Sequence, residues 1–143
     1  MKKNYLYLTY AGAIPFVFCA VCLSSDIQQL PFLGSFEKII SVYALVICSF
    51  LAGSHWGQHL NVKGIWSSVL TIVSNIIAIL LWFCFLVLGF KALIAVFVSV
   101  FIILLFVDHR LFQSDLITRQ YFQTRFFVSA IVIFSLIISG TVS

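Results

Sequence analysis

Charged residues are scarce in this chain: only 8% of its 143 residues are Asp, Glu, Lys or Arg, and four of them are acidic. A soluble domain carries roughly a quarter charged residues. Hydrophobic residues instead make up 63% of the sequence. Because a soluble domain of about 150 residues leaves around 30% of its unfolded-chain surface in solvent, this composition requires lipid around the chain and excludes an ordinary soluble fold.

Several familiar functional signatures are also missing. The sequence has no Walker loop, no G-x-S-x-G turn, no HExxH and no Gly-rich dinucleotide turn. The eight Lys and Arg residues form no basic stripe, since all but the adjacent Lys2 and Lys3 are scattered singly, which argues against a nucleic-acid partner. Cys19 and Cys22 form a CxxC without a surrounding βαβ pattern, so we interpret them as small apolar helix residues. No cofactor is predicted, and a non-enzymatic protein is favoured over an enzyme.

Long apolar runs are abundant, and five of them can cross a bilayer. A hydrocarbon core of ~30 Å takes about 20 helical residues at 1.5 Å each. The stretch 65–107 contains a single charge, Lys91, and would measure about 64 Å as one helix, so we divide it near Gly89. We predict an all-α polytopic bundle with one transmembrane domain over residues 1–143 and spans at approximately 5–23, 39–57, 65–88, 92–107 and 125–142.

The segments between the spans are short. A polar turn with Gln28, Gln29 and Pro31 follows the first span. In the segment 108–123, Asp115 and Arg119 stand four residues apart, as do the apolar pairs Phe112 with Leu116 and Ile117 with Tyr121. This spacing favours a short interfacial helix there, with a loop as the alternative.

The basic residues predict the orientation of the bundle. Lys and Arg concentrate in cytoplasmic loops, so an internal N-terminus and an external C-terminus fit best. The first apolar run is long and lacks an A-x-A cleavage site, so we expect an uncleaved span in a multi-pass protein of the cell inner membrane. Six basic residues then lie inside and two outside, namely Lys2, Lys3, Lys63, Arg110, Arg119 and Arg125 against Lys38 and Lys91.

The second span carries small residues at a helical interval. Ser49, Gly53 and Gly57 follow one another every four residues, which places them on one helix face. Small side chains allow another helix to approach closely. We predict a helix-packing face, and the alternative is a narrow groove for a lipid or cofactor tail.

An ionisable residue inside a span is a functional-site hypothesis because unpaired charge is costly there. His55 lies about one turn inside the inner boundary, and the predicted topology brings Asp108, Tyr121 and Arg125 to the same depth, beside Trp56. We interpret this candidate inner-face cluster as an ion-paired latch. A proton relay and a headgroup-binding pocket are the alternatives.

Two further polar side chains in the spans have simple interpretations. His55 and His59 have the i, i+4 spacing of a metal-binding pair, but no carboxylate lies nearby in sequence, so no metal site is predicted. Asn75 lies near the middle of the third span, where its amide is expected to bond to a neighbouring helix.

The order of several residues resembles a known family. The sequence has Gly12, Pro15 and Phe16 in span one, S-F-L-A-G-S-H-W-G over residues 49–57, and Tyr43, Trp82, Asp108 and the segment 121–125 elsewhere. This pattern resembles a domain-of-unknown-function family of small bacterial and mitochondrial membrane proteins, whose eukaryotic members are similar to transmembrane protein sixty-nine. The resemblance implies membrane location and marks His55, Trp56, Asp108 and Arg125, but it assigns no reaction.

Three functional hypotheses follow from these observations. The first is a non-enzymatic assembly, scaffold or lipid-organising component, whose partners are the lipid bilayer and a membrane protein or a second copy. The second is a small proton-coupled transporter that uses His55, Asp108 and Arg125. The third is a lipid-headgroup enzyme with His55 as acid or base.

Overall fold

The structure, a computed structural model, describes residues 2–27, 29–30, 34–115 and 117–142. Its helices include five that are long and apolar enough to cross a membrane, counting the paired helices of the first span together. The prediction of five spans is therefore confirmed, and the architecture is that of a multi-pass membrane protein. In chain order the elements are α1 (Lys2–Ala11), α2 (Ile14–Ser24), β1 (Gln29–Leu30), β2 (Gly34–Ser35), α3 (Phe36–Gln58), a 3₁₀ turn (His59–Asn61), α4 (Ile65–Val87), α5 (Phe90–Gln113) and α6 (Arg119–Val142).

The first span is broken in two, whereas the sequence predicted one continuous helix. Pro15 lies in the first turn of α2 and has no N–H to donate back to the carbonyl of Ala11. The helix α1 therefore ends at Ala11. At the break the hydroxyl of Tyr43 on α3 donates to the carbonyl of Gly12 at 2.9 Å. Lipid offers no hydrogen bonds to backbone groups. The Tyr43 hydroxyl therefore provides the donor that the Gly12 carbonyl needs at the break, and it links α3 to the first span.

The link from α2 to α3 contains a minimal hairpin. Gln29 pairs with Ser35 and Leu30 with Gly34 in an antiparallel ladder, while Gln28 and Pro31 of the predicted polar turn lie outside the described residues. Ser35 is the N-cap of α3, and its hydroxyl accepts the backbone N–H of Lys38. This cap extends α3 three residues before its predicted start.

In the described part of residues 108–123, no separate interfacial helix forms between α5 and α6. Instead α5 continues to Gln113, a turn follows, and α6 begins at Arg119. Asp115 lies in that turn with a φ of 58°, so the expected helical pairing of Asp115 with Arg119 is wrong. Leu116 lies outside the described residues. The two last spans are therefore longer helices joined by a shorter connection than the sequence predicted.

The core lies between α2, α3, α5 and α6. The helix α4 packs mainly against α3 and adds Ile77 and Leu81 to this core. Fully buried aromatic rings fill its centre, including Phe16, Phe97 and Phe101. Close to the far end of α6, a Cβ added at Gly140 would lie 3.1 Å from Cγ2 of Ile94 on α5. Glycine there allows the two helices to approach closely.

The predicted interhelical bond of Asn75 is wrong. Its side chain is exposed on α4, and its amide donates to the carbonyl of Thr71 one turn earlier at 3.0 Å. A bond within its own helix satisfies this donor, so it needs no donation to a neighbouring helix.

We expect Tyr43→Phe to lower the free energy of unfolding by about 1 kcal/mol, since it leaves the Gly12 carbonyl without its hydroxyl donor. The matched control is Tyr10→Phe, because Tyr10 lies on α1 close to the same helix break and is 43% exposed. Reversible unfolding in detergent measures both. Equal stability of the two variants would show that the helix break needs no bond from α3.

Candidate functional site

Three side chains from three helices meet at one end of the bundle. On α5, Asp108 presents Oδ1 at 2.8 Å from Nε2 of His55 on α3 and Oδ2 at 3.1 Å from Nε of Arg125 on α6. The side chains are buried, with residue exposures of 4% for His55, 0% for Asp108 and 6% for Arg125. We call this group the polar cluster.

The charges of the polar cluster balance when the imidazole is neutral. The guanidinium of Arg125 and the carboxylate of Asp108 cancel, and a neutral His55 whose Nε2 carries the proton donates to the second carboxylate oxygen. An isolated charge in this interior would be far more costly than such a pair. The single carboxylate of Asp108 thereby joins the three helices α3, α5 and α6 to one another.

The polar cluster lies at the boundary between lipid-facing and polar surface. On α5 the exposed Phe106 is followed by exposed His109 and Arg110, and on α6 the exposed Gln123 is followed by exposed Phe126. Exposed apolar side chains suit hydrocarbon and exposed polar ones suit headgroups. The cluster therefore lies at the level where hydrocarbon gives way to headgroups. Exposed basic residues lie on its polar side, namely Lys63, Arg110 and Arg119.

The other two residues predicted for this cluster have different environments. Trp56 is 44% exposed and packs edge-on against the ring of His59, with centroids 4.7 Å apart. It therefore lies on the outer side of α3, away from Asp108. Tyr121 is half-buried on α6, one turn before Arg125. His59 belongs to the 3₁₀ turn, and the described part of the chain contains no group of three or more His, Cys, Asp or Glu residues able to hold a metal ion.

Several buried polar atoms have no hydrogen-bond partner among the described residues. They include Nδ1 of His55, Nη2 of Arg125 and Oγ of Ser129. Leaving such a group unpaired costs about 1–3 kcal/mol. Sequence reasoning did not single out Ser129; its position four residues after Arg125 on the same helix face is the signal that could have found it.

A lateral crevice lies beside the polar cluster, between α1–α2 and α3, with α6 as its floor. Its volume is about 390 Å³, within the range of small-molecule sites. Leu8 and Phe50 stand at its mouth, each 71% exposed. One end is polar and the other apolar; the polar end includes Tyr121, Arg125 and Ser129, and the apolar end Phe16, Phe101 and Val132. We call it the crevice.

The small-residue face of α3 is open. The helix packs into the core through its opposite side, which includes Cys48, Ala52 and His55. Ser49 and Gly53 are exposed, and a Cβ added at Gly53 or Gly57 would meet no atom of the described chain within 4 Å. The predicted helix-packing role of Ser49, Gly53 and Gly57 therefore stays a prediction, since no described helix packs closely against the two glycines.

We expect Asp108→Asn to lower the free energy of unfolding by about 3–5 kcal/mol, because it leaves the buried Arg125 charge without its partner. Asp26→Asn is the isosteric control, since Asp26 is exposed and its φ of 63° suits Asn equally. Chemical unfolding in a mild detergent measures both variants. A loss below about 0.5 kcal/mol in Asp108→Asn, as at ordinary surface sites, would contradict the ion-paired interpretation.

Comparisons with known proteins identify the family of the chain but assign it no activity. No curated protein and no solved structure matches it. A family model described as "Protein of unknown function (DUF3429)" matches residues 1–141. Since this match covers nearly the whole sequence, the chain belongs to the DUF3429 family.

Proposed function

We propose that this protein is a non-enzymatic, lipid-organising component of the bacterial cell inner membrane that holds a lipid chain in the crevice. The observation that carries the proposal is the crevice itself. Its mouth lies between α1 and α3, where Leu8 and Phe50 are exposed among lipid-facing side chains. Its polar end adjoins the polar cluster, at the level of the lipid headgroups.

The dimensions of the crevice favour a single chain over a protein helix. Its floor on α6 runs from Tyr121 to Val132, about 16 Å at 1.5 Å per residue. Ligand sites measure about 300–1,000 Å³, and the crevice, at about 390 Å³, is a small one. A single lipid chain suits such a narrow site better than a helix of about 10 Å diameter.

A proton-coupled transporter is the second candidate function. The buried Nδ1 of His55, which has no partner in the described part of the chain, supports it, because this atom can take up a proton beside Asp108. Proteoliposome uptake that is unaffected by His55→Ala would contradict this candidate. Headgroup chemistry with His55 as acid or base has less support, since His55 does not line the crevice.

Three predictions from the sequence accompany the proposal. The orientation, with the N-terminus inside, would place the polar cluster and the crevice's polar end at the cytoplasmic leaflet. A membrane protein partner or a second copy would use the open face formed by Ser49, Gly53 and Gly57. The likeness to transmembrane protein sixty-nine would mean that mitochondrial membranes contain proteins with the same polar cluster and crevice.

The test is native mass spectrometry of protein released from mild detergent, with retained lipids counted per protomer. Leu51→Trp adds an indole ring at the crevice wall and should reduce the retained lipid at least about threefold, roughly 0.7 kcal/mol of binding free energy. Val46→Trp is the control because Val46 lies on the same helix and is 56% exposed outside the crevice. Equal lipid retention in the two variants, with equal thermal stability, would overturn the proposal.

A further inference from the structure

We infer that the occupant of the crevice is a diacyl phospholipid whose ester carbonyl accepts hydrogen bonds from Arg125 and Ser129. The inference rests on the proposed function, which places a lipid chain in the crevice, and it adds the chemistry of the ligand's polar end. It comes from two residues that line the crevice, Arg125 and Ser129, each of which has a buried donor without a partner in the described chain, Nη2 and Oγ respectively.

The guanidinium of Arg125 has N–H donors that its contact with Asp108 does not use. Its Nε is committed to Asp108 at 3.1 Å, which fixes the guanidinium at the edge of the crevice. A guanidinium carries five N–H groups in a rigid planar fork. The Nη2 group is buried and unpaired among the described residues, so an acceptor oxygen that enters the crevice would satisfy it.

Ser129 differs from the other buried hydroxyls of its helix. Thr124, Ser135 and Ser139 each donate to the backbone carbonyl four residues earlier, at 2.9 Å. Ser129 could make the same bond to the carbonyl of Arg125, yet its Oγ has no partner in the described structure. Because Ser129 lines the crevice, this unpaired hydroxyl can donate to an acceptor inside it once its χ1 rotamer turns toward the lumen.

Charge balance selects a neutral acceptor. The Arg125 charge is already cancelled by Asp108, and a carboxylate or phosphate beside them would leave one negative charge uncompensated in the interior. Uncompensated buried charge is strongly unfavourable. A carbonyl oxygen accepts from both donors and adds no charge, so the ester of an acyl chain fits better than a free fatty acid or a phosphate group.

The depth of the polar cluster in the membrane also favours a phospholipid ester as the ligand. The ester groups of a phospholipid lie where the hydrocarbon core meets the headgroups, and the polar cluster occupies that level, between exposed Phe126 and exposed Gln123 on α6. The acyl chain would then run toward Phe16 and Val132, at the apolar end of the crevice. The phosphate would lie on the polar side of the cluster, where Arg119 is exposed.

The test uses ether-linked phospholipid, which lacks the carbonyl but keeps the same headgroup and chains. The protein is equilibrated in mild detergent with an equimolar mixture of the ester-linked and ether-linked lipids, and the retained lipid is identified by native mass spectrometry. We expect the ester lipid to be retained roughly tenfold in excess, which corresponds to about 1.4 kcal/mol. Ser129→Ala should reduce this preference to about threefold or less, and Arg125→Lys should reduce it further.

The control is Ser135→Ala, which removes a buried hydroxyl on the same helix that already has a partner; it should keep the full preference. If wild type retains both lipids equally, the ester inference is wrong while the crevice still binds lipid. If a free fatty acid outcompetes both, the neutral-acceptor argument is wrong. If no lipid is retained, the proposed function fails together with the inference. Should Arg125→Lys not fold, Ser129→Ala against Ser135→Ala decides the question.

Discussion

The rest of this structure depends on the two interactions that the carboxylate of Asp108 makes. It is fully buried, and its two oxygens join His55 of α3 and Arg125 of α6 to α5. Removing it would leave a buried guanidinium without a counterion, at a cost of about 3–5 kcal/mol. Because the bonds are directional, they also fix the depth of the three helices relative to one another. All three helices line the crevice, so the cluster holds these walls at fixed depths relative to one another.

A bundle of apolar helices needs such a constraint. In lipid, helices gain little from burying apolar surface against each other, since the surrounding chains are equally apolar. Specific contacts must therefore determine which helix lies beside which. The polar cluster provides one at the headgroup level, the bond from Tyr43 to the Gly12 carbonyl provides another at the break in the first span, and the close approach at Gly140 provides a third between α5 and α6. Each acts at a different position along the bundle.

Hydrophobicity and length were sufficient to predict five spans, and the depth of polar residues was sufficient to bring His55, Asp108 and Arg125 together. These properties depend on distance along the chain and on bilayer thickness, which a sequence contains. The direction in which a side chain points was harder to predict. Trp56 follows His55 directly but faces outward, and the glycines of α3 face away from the core although their spacing suggested close packing. The crevice could not be found in this way, because five helices from distant parts of the chain form its walls. Ser129 could have been found by its position four residues after Arg125, but its unpaired hydroxyl is visible only in the structure.

The central claim, that Asp108 and Arg125 hold the helices as a pair, is tested most directly by a double-mutant cycle. The free energies of unfolding of wild type, Asp108→Asn, Arg125→Gln and the double variant would be measured in one detergent. The account predicts that the double variant is less destabilised than the sum of the single ones by about 1–3 kcal/mol, because removing both charges leaves neither unpaired. Additivity within about 0.5 kcal/mol would contradict it and would show that the contact between the two side chains does not hold the fold together.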